Sequence, residues 1–354
     1  MIGARLGIEN TRTVYLDYSR GADRWQQIID NDRGVMRQLA EETLREMAKP
    51  AWIRYALYAL YTRSRRPFLR ESNALAEAID SRVVDKKTMA LLQLAYTFSH
   101  LSGCTAAVYH HPDFGMLHIR CLDWEMSVKE IAAATRIFEF RKGNKIVFKV
   151  VGIAGMVGVL TGVKPGKFSV SINWASSKDA WVPWPKSEPT FRLRDVLEKC
   201  ESYEGAVNAL SRTELSTPVF FTICGSEPGQ ACVIEVAHKG LFNQQVNKRE
   251  FSSAERFLVQ TNHYDEYGPL AKQNTYDPSR RLTGDPSAVD LEKSSGERRR
   301  AMADILKRII ARGSLDLDTV AEYALSRPPV QNRFTVQQML MVPKTGELRV
   351  WAET

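Results

Sequence analysis

Residues 103–124, GCTAAVYHHPDFGMLHIRCLDW, decide the fold class. CTAAVYH and GMLHIRCLDW are runs rich in Ala, Val, Leu and Ile that read as two strands. The turn around His111-Pro112-Asp113-Phe114-Gly115 joins them as an antiparallel hairpin. Arg120 lies sixteen residues beyond Cys104 and Asp123 nineteen, so the hairpin brings both back beside the thiol. A neighbouring guanidinium favours thiolate over thiol, and a neighbouring carboxylate can hold an amine. On spacing alone, three such residues on two apolar strands fit a structural role better than a chemical one.

The texture around the hairpin sets the class. Before it, ADRWQQIIDNDRGVMRQLAEETLREMAKPAWIRYALYALY and ALAEAIDSRVVDKKTMALLQLAYTFSHLSG place apolar residues at three- and four-residue spacings, so the first hundred residues read as helical. After it come RIFEFRKGNKIVFKVVGIAG and KFSVSINWA, strands with turns at KGNK and KPGK. TFRLRDVLEKCESYEGAVNALSR is helical, PVFFTICGSEPGQACVIEVAHKG is a strand-turn-strand unit, and RFLVQTNHYDEY is a strand entering a loop. Residues 268–295 read as a long polar loop, ERRRAMADILKRIIARG as an amphipathic helix, and FTVQQMLMVPKTGELRVWAE as a hairpin turned at Lys344-Thr345-Gly346. Hairpins stand where a doubly wound sheet needs crossovers, so the class is α+β, with helices packed over antiparallel sheets. The clearest compositional seam lies at 103/104, dividing a helical piece, 1–103, from a strand-rich piece, 104–354.

With 44% hydrophobic and 25% charged residues over 354 positions, the chain is neither disordered nor fibrous nor a multi-span membrane protein. A net charge of +8 points to an anionic surface or substrate without naming one. Five cysteines, at 104, 121, 200, 224 and 232, fit neither a zinc site nor a disulfide scaffold and read as reduced thiols. The opening MIGARLGIENTRTVYLDYSRG has no long apolar run, and no Asn-X-Ser/Thr acceptor occurs. No signal peptide is expected, and the expected location is cytoplasmic, either free or peripheral at a membrane.

Several motifs then carry a resemblance. Gly103-Cys104-Thr105 followed by LHIRCLDW resembles the C-T-S-I-V-A and H-G-R-N-(L/M)-D of the acid ceramidase and N-acylethanolamine acid amidase family of N-terminal-nucleophile hydrolases. TVYLDYSRGADRW is similar to the start of that family's small subunit, and GVLTGVKPGKFSVSIN to its G-x-L-T-G-x-K-P-G-x-F-S-x-x-x-N. STPVFFTICGSEPGQACVIE resembles its paired strands, Leu258-Val259-Gln260-Thr261-Asn262 its V-V-Q-T-N, and Ser279-Arg280-Arg281 its D-D-R-R. SRPPVQNRFTVQQMLMVPKTGEL resembles its final hairpin. The likeness runs through nearly the whole chain in order.

The resemblance implies a four-layer αββα sandwich, self-cleavage at Gly103-Cys104, and two fragments that stay associated. It implies hydrolysis of a lipid N-acyl amide, ceramide or N-acylethanolamine, through a thioester and without metal or organic cofactor. Cys104 is then the nucleophile, and its freed α-amine, a group that ordinarily titrates at roughly pH 8, the base. Arg120 favours the thiolate and places substrate. Asp123 orients the amine. The Asn262 side chain donates to the oxyanion, Arg280 is a second active-site arginine, and the Asn173 backbone N–H completes the oxyanion hole. A bile-salt or penicillin-type amidase, an N-acyltransferase on the same site, and an unprocessed lipid-binding protein are the alternatives.

The chain departs from the pattern at Ile119 and Cys121, which replace a glycine and an asparagine, and at Trp174-Ala175-Ser176, where the family has E-R-F. Cys121 puts a second thiol beside the active strand. Residues 49–70, KPAWIRYALYALYTRSRRPFLR, carry six bases, no acid and interleaved aromatics. They read either as a helix for an anionic bilayer surface or as one that packs on the catalytic piece. His110-His111 reads as a turn with exposed imidazoles and Gly162–Lys167 as a hairpin turn. Arg298-Arg299-Arg300 reads as a solvated helix face, because no nucleic-acid module accompanies it. Cys200, Cys224 and Cys232 read as buried small hydrophobes.

Overall fold

A computed structural model describes residues 11–46, 51–63, 68–79, 82, 84–98, 102–125, 127–178, 186–240, 243–279, 290 and 293–352. Its strands are β1 (Thr13–Asp17), β2 (Ser102–His111), β3 (Gly115–Trp124), β4 (Thr135–Lys142), β5 (Lys145–Ile153), β6 (Thr161–Lys164) and β7 (Phe168–Trp174). They continue with β8 (Val219–Gly225), β9 (Ala231–Lys239), β10 (Asn243–Glu250), β11 (Phe257–Gln260), β12 (Thr335–Val342) and β13 (Glu347–Trp351). The helices are α1 (Gln26–Glu46), α2 (Ala51–Arg63), α3 (Leu69–Ile79), α4 (Lys86–Phe98), α5 (Val128–Ala134), α6 (Pro189–Lys199), α7 (Tyr203–Arg212), α8 (Ser295–Arg312) and α9 (Leu317–Leu325).

The strands form an eight-stranded sheet, β1-β4-β5-β6-β7-β8-β9-β10, and a five-stranded sheet, β11-β2-β3-β12-β13. Strands β2 and β3 face β7 and β8 across the gap between the sheets. Helices α6 and α7 pack on β5–β9, while α8 and α9 pack on β11, β2, β3 and β12. The layers are therefore helix, sheet, sheet, helix, the αββα arrangement. Strand period sorts the cores. In β8, Val219, Phe221 and Ile223 join the large core that includes α6 and α7, while Phe220 and Cys224 turn to the inter-sheet cluster with Val108, Met116 and Tyr264.

The piece before residue 104 is not purely helical, and the later piece does not carry every strand. TVYLD forms β1, parallel to β4 from Thr13↔Ile137 to Asp17↔Arg141, at the edge of the large sheet. Only Val14 and Leu16 of its five residues are buried, too short an alternation to stand out beside the long helical pattern. The polar edge strand β10, NQQVNKRE, also has little apolar signal, as suits an exposed edge. At KPGK the turn places Gly166 at φ 71, where a side chain is strained, and Gly166 N–H donates to Pro343 O at 2.8 Å.

His111 overturns the expectation of exposed imidazoles. Strand β2 runs on to His111, whose ring is buried, with Nε2 2.9 Å from Leu315 O and Nδ1 accepting from Asp113 N–H at 3.1 Å. In α2, Tyr61 is buried against Phe191, ring centroids 6.0 Å apart, whereas Trp52 and Tyr55 are 69% and 58% exposed. One end of the helix packs on the later piece and the other presents aromatic rings to solvent. Lys49, Arg65 and Arg66 lie outside the described residues. Among the described residues no helix is long and apolar enough to cross a membrane.

Candidate active site

The β2–β3 register sets Cys104 opposite Leu122, Ala106 opposite Arg120 and Gly103 opposite Asp123. The two-residue period then divides the residues between two faces. Cys104 and Leu122 belong to the large core. Cys121, with Ile119 and Leu117, points the other way, into the apolar layer under α8 and α9. The second thiol therefore lies on the opposite face from the Cys104 thiol, and burial pushes it well above the ordinary thiol range.

Arg120 is fully buried and donates from Nη2 to Cys104 Sγ at 3.3 Å. The same guanidinium donates to Leu160 O at 2.6 Å, to Thr161 Oγ1 and to Ile172 O, so the central strands β6 and β7 of the large sheet fix its fork. Tyr96 of α4 lies against the thiol and donates to Ile172 O at 3.3 Å. Arg120 does pull the thiol toward ionisation, but complete burial outweighs it, and the Cys104 pKa is raised. The thiol is therefore held protonated, with no exposed surface.

On the backbone side of Cys104, its N–H donates to Asn262 Oδ1 at 2.9 Å. Asn262 Nδ2 donates to Trp174 O at 2.8 Å. This side chain thus receives the cysteine N–H with its oxygen and spends an amide hydrogen on a carbonyl. Asp123 is fully buried, accepts from Thr335 Oγ1 at 2.7 Å, and stands across from Gly103, which has no side chain to exclude it. Burial raises its pKa against the pull of Arg298.

Arg298 is the residue that sequence reasoning missed. Expected on a solvated face, it is fully buried. Its Nη1 donates to Cys104 O at 2.7 Å and Thr105 Oγ1 at 3.2 Å, its Nη2 donates to Asn262 Oδ1 at 2.9 Å, and Asp123 Oδ2 is 3.9 Å away. Amphipathic spacing hid it, because a charged residue in the first turn of a basic helix is ordinarily solvated. Arg280 lies outside the described residues.

Asn173 is buried in β7 opposite Phe220, and its Nδ2 donates to Gln260 O and Thr261 O, both at 3.1 Å. Its side chain thus braces the segment that delivers Asn262. The expected site residues within the described regions, Cys104, Arg120, Asp123, Asn173 and Asn262, converge from both sheets.

Residues 186–284 match the family model described as acyl-coenzyme A:6-aminopenicillanic acid acyl-transferase. The chain is similar to the acid ceramidase of Heterocephalus glaber, 30% identical over 47% of each chain. It is also similar to that of Bos taurus, 26% identical over 80% of this chain and 69% of the other. It therefore spans about half the length of the first relative and about two thirds of the second. Among solved structures, the Caenorhabditis elegans ortholog of N-acylethanolamine-hydrolyzing acid amidase is 26% identical with a TM-score of 0.53, covering 71% of this chain and all of that one. The chain thus joins an αββα core and a buried Cys–Arg–Asp–Asn cluster to similarity with acid ceramidases and with an N-acylethanolamine-hydrolyzing acid amidase.

Proposed function

We propose that the chain is the precursor of a cysteine amidase that hydrolyses lipid N-acyl amides of the ceramide or N-acylethanolamine type. The observation that carries the reading is the Gly103–Cys104 junction. There the cysteine thiol, N–H and carbonyl are each held by a buried partner: Arg120 at 3.3 Å, Asn262 at 2.9 Å and Arg298 at 2.7 Å. A structural cysteine has no need of three charged or amide partners.

In the maturation step the Cys104 thiol attacks the Gly103 carbonyl as it gives up its proton, the C–N bond breaks, and the acyl group moves from nitrogen to sulfur. The thiol's proton ends on the Cys104 nitrogen, which becomes a free amine. Water then hydrolyses the thioester, leaving a Gly103 carboxylate and a free thiol. In turnover the amine takes the thiol proton and the thiolate attacks the substrate carbonyl. The tetrahedral oxyanion collapses, the substrate amine leaves with the proton, and water releases the fatty acid from sulfur. Asn262 is the amide that donates to the developing charge, and Arg298, which grips its Oδ1, adds a fixed positive charge beside it.

The exposed Trp52 and Tyr55 of α2 support a membrane-facing surface for a lipid substrate. Contacts across the cut support lasting association of the fragments: β1 pairs with β4, and Gln93 Nε2 donates to Gly155 O at 2.7 Å while its Oε1 accepts from Val157 N–H at 2.8 Å. The acyl-transferase family model over residues 186–284 favours one second reading, in which an amine replaces water as acyl acceptor.

The test is the intact mass of the purified chain under denaturing conditions after incubation at acidic and neutral pH. Fragments 1–103 and 104–354, absent in Cys104→Ala, are expected, followed by release of lauric acid from N-lauroyl ethanolamide or of fatty acid from ceramide. A chain that stays whole under every condition sinks the self-processing step. Turnover only when a nucleophilic amine is added moves the assignment to acyl transfer.

A further inference from the structure

Asn262 is gripped from two directions by one turn of one helix. Its Oδ1 accepts from Arg298 Nη2 at 2.9 Å, and its backbone N–H donates to Ser295 Oγ at 2.8 Å. Ser295 opens α8 and is fully buried. Arg298 stands three residues on, so the two share a helix face.

The Ser295 hydroxyl has one proton and two lone pairs to distribute. Three groups meet it: Asn262 N–H, His263 Nδ1 at 2.8 Å and Thr261 Oγ1 at 2.9 Å. Thr261 Oγ1 in turn donates to Ser295 O at 3.0 Å. Every contact is satisfied when His263 is neutral with its proton on Nδ1. Nδ1–H then donates to Ser295 Oγ, Ser295 donates to Thr261, and Thr261 donates to the Ser295 carbonyl. His263 Nε2 becomes an acceptor, and it faces a donor, Arg299 Nη1, at 3.4 Å. Burial and the surrounding guanidiniums of Arg299, Arg298, Arg249 and Arg300 hold this imidazole well below its ordinary pKa, in agreement with the neutral ring.

We propose that Ser295, its hydroxyl oriented by His263, is a positioning residue that sets the Asn262 side chain against Cys104. The proposal rests on Asn262 and Cys104 belonging to the reacting site. Ser295 touches neither the thiol nor the site of the substrate carbonyl; it acts through Asn262, whose Oδ1 lies 2.9 Å from Cys104 N. The oxyanion asparagine and the buried arginine then take their spacing from a single rigid helical turn.

The experiment compares Ser295→Ala and Ser295→Thr with the parent chain in two assays. In the processed enzyme with N-lauroyl ethanolamide, loss of the hydroxyl is expected to lower kcat about tenfold with KM within about twofold, and Thr to recover most of it. In the Cys104→Ala background, where no turnover is needed, protection of the Asn262 amide against hydrogen exchange is expected to fall about tenfold in the Ala variant and return in the Thr variant. Unchanged protection overturns the proposal whatever the kinetics show. Lost protection with kcat within about twofold of the parent overturns it too, as does a Thr variant no better than Ala. A parent with no turnover counts against the amidase reading alone, and the exchange result then decides the positioning claim.

Discussion

Removing the Glu71 carboxylate tests what holds the two pieces of this chain together. Glu71 lies on α3, before the proposed cut, and Arg194 on α6, after it. Their contact is bidentate, at 2.8 and 3.0 Å, with Arg194 fully buried and Glu71 7% exposed. Trp25 Nε1 also donates to Glu71. In Glu71→Ala, Arg194 keeps Glu198 at 3.0 Å, Val157 O at 2.9 Å and the Phe68 ring at 4.0 Å, so its charge is not wholly abandoned. The cost is then at the low end for breaking a buried pair, about 3 kcal/mol. The orphaned Trp25 N–H adds about 1 kcal/mol. About 4 kcal/mol corresponds to about a thousandfold weaker association of the cut fragments. Urea unfolding of uncut Cys104→Ala measures the first quantity, and sedimentation of the processed protein on dilution measures the second. The double variant Glu71→Leu/Arg194→Met is expected to regain much of the loss, since apolar replacement of both partners leaves no buried charge. A single variant within about 0.5 kcal/mol of the parent, or a double variant worse than the single, refutes this account of the pair.

Three other outcomes follow from the site. Arg298→Ala is expected to slow scission and turnover about 10²–10³-fold, the scale of a lost oxyanion donor. Arg298→Lys should recover little, because an ammonium cannot span Cys104 O and Asn262 Oδ1 as the fork does; the half-time of fragment appearance measures both. Cys121→Ser is expected to cost about 1–3 kcal/mol in urea unfolding by burying a hydroxyl in an apolar layer, while leaving kcat near the parent's because that thiol points away from Cys104. Asp123 titrates in the folded chain above the ordinary aspartate value of 3.8. The native state therefore binds the proton more tightly than the unfolded chain, and this stabilisation is full below pH 3.8 and lost as pH rises through the folded pKa. Urea midpoints of the parent relative to Asp123→Asn, with Cys104→Ala in both, should decline over that interval and then level. A difference that grows with pH contradicts the raised pKa.

Most of the site's first contacts were legible because they are local. Cys104, Arg120 and Asp123 sit on one hairpin, where period and register follow from the turn. The strand-turn-strand units and the last hairpin were readable for the same reason, since alternation and Gly-containing turns act over a few residues. Elements lacking such contrast escaped: β1 is five residues long, β10 is a polar edge, and α5 is seven residues long with Ile131 its one large buried side chain.

The sequence alone determined the α+β class, helices packed over largely antiparallel sheets, and the motif order that carries the resemblance to acid ceramidases. Tertiary structure decided everything that depends on which face meets which. It turned Arg298 from a solvated face into the core of the site, because the buried oxygens of Cys104, Asn262 and Asp123 converge on the first turn of α8. It sent Cys121 away from the thiol it follows by seventeen positions, because neighbouring strand positions point to opposite faces. It also gave Cys104 a raised pKa beside an arginine, because burial acts on the charged form more strongly than one neighbour can offset. Burial and facing are sums over residues far apart in the chain, and no local pattern encodes them.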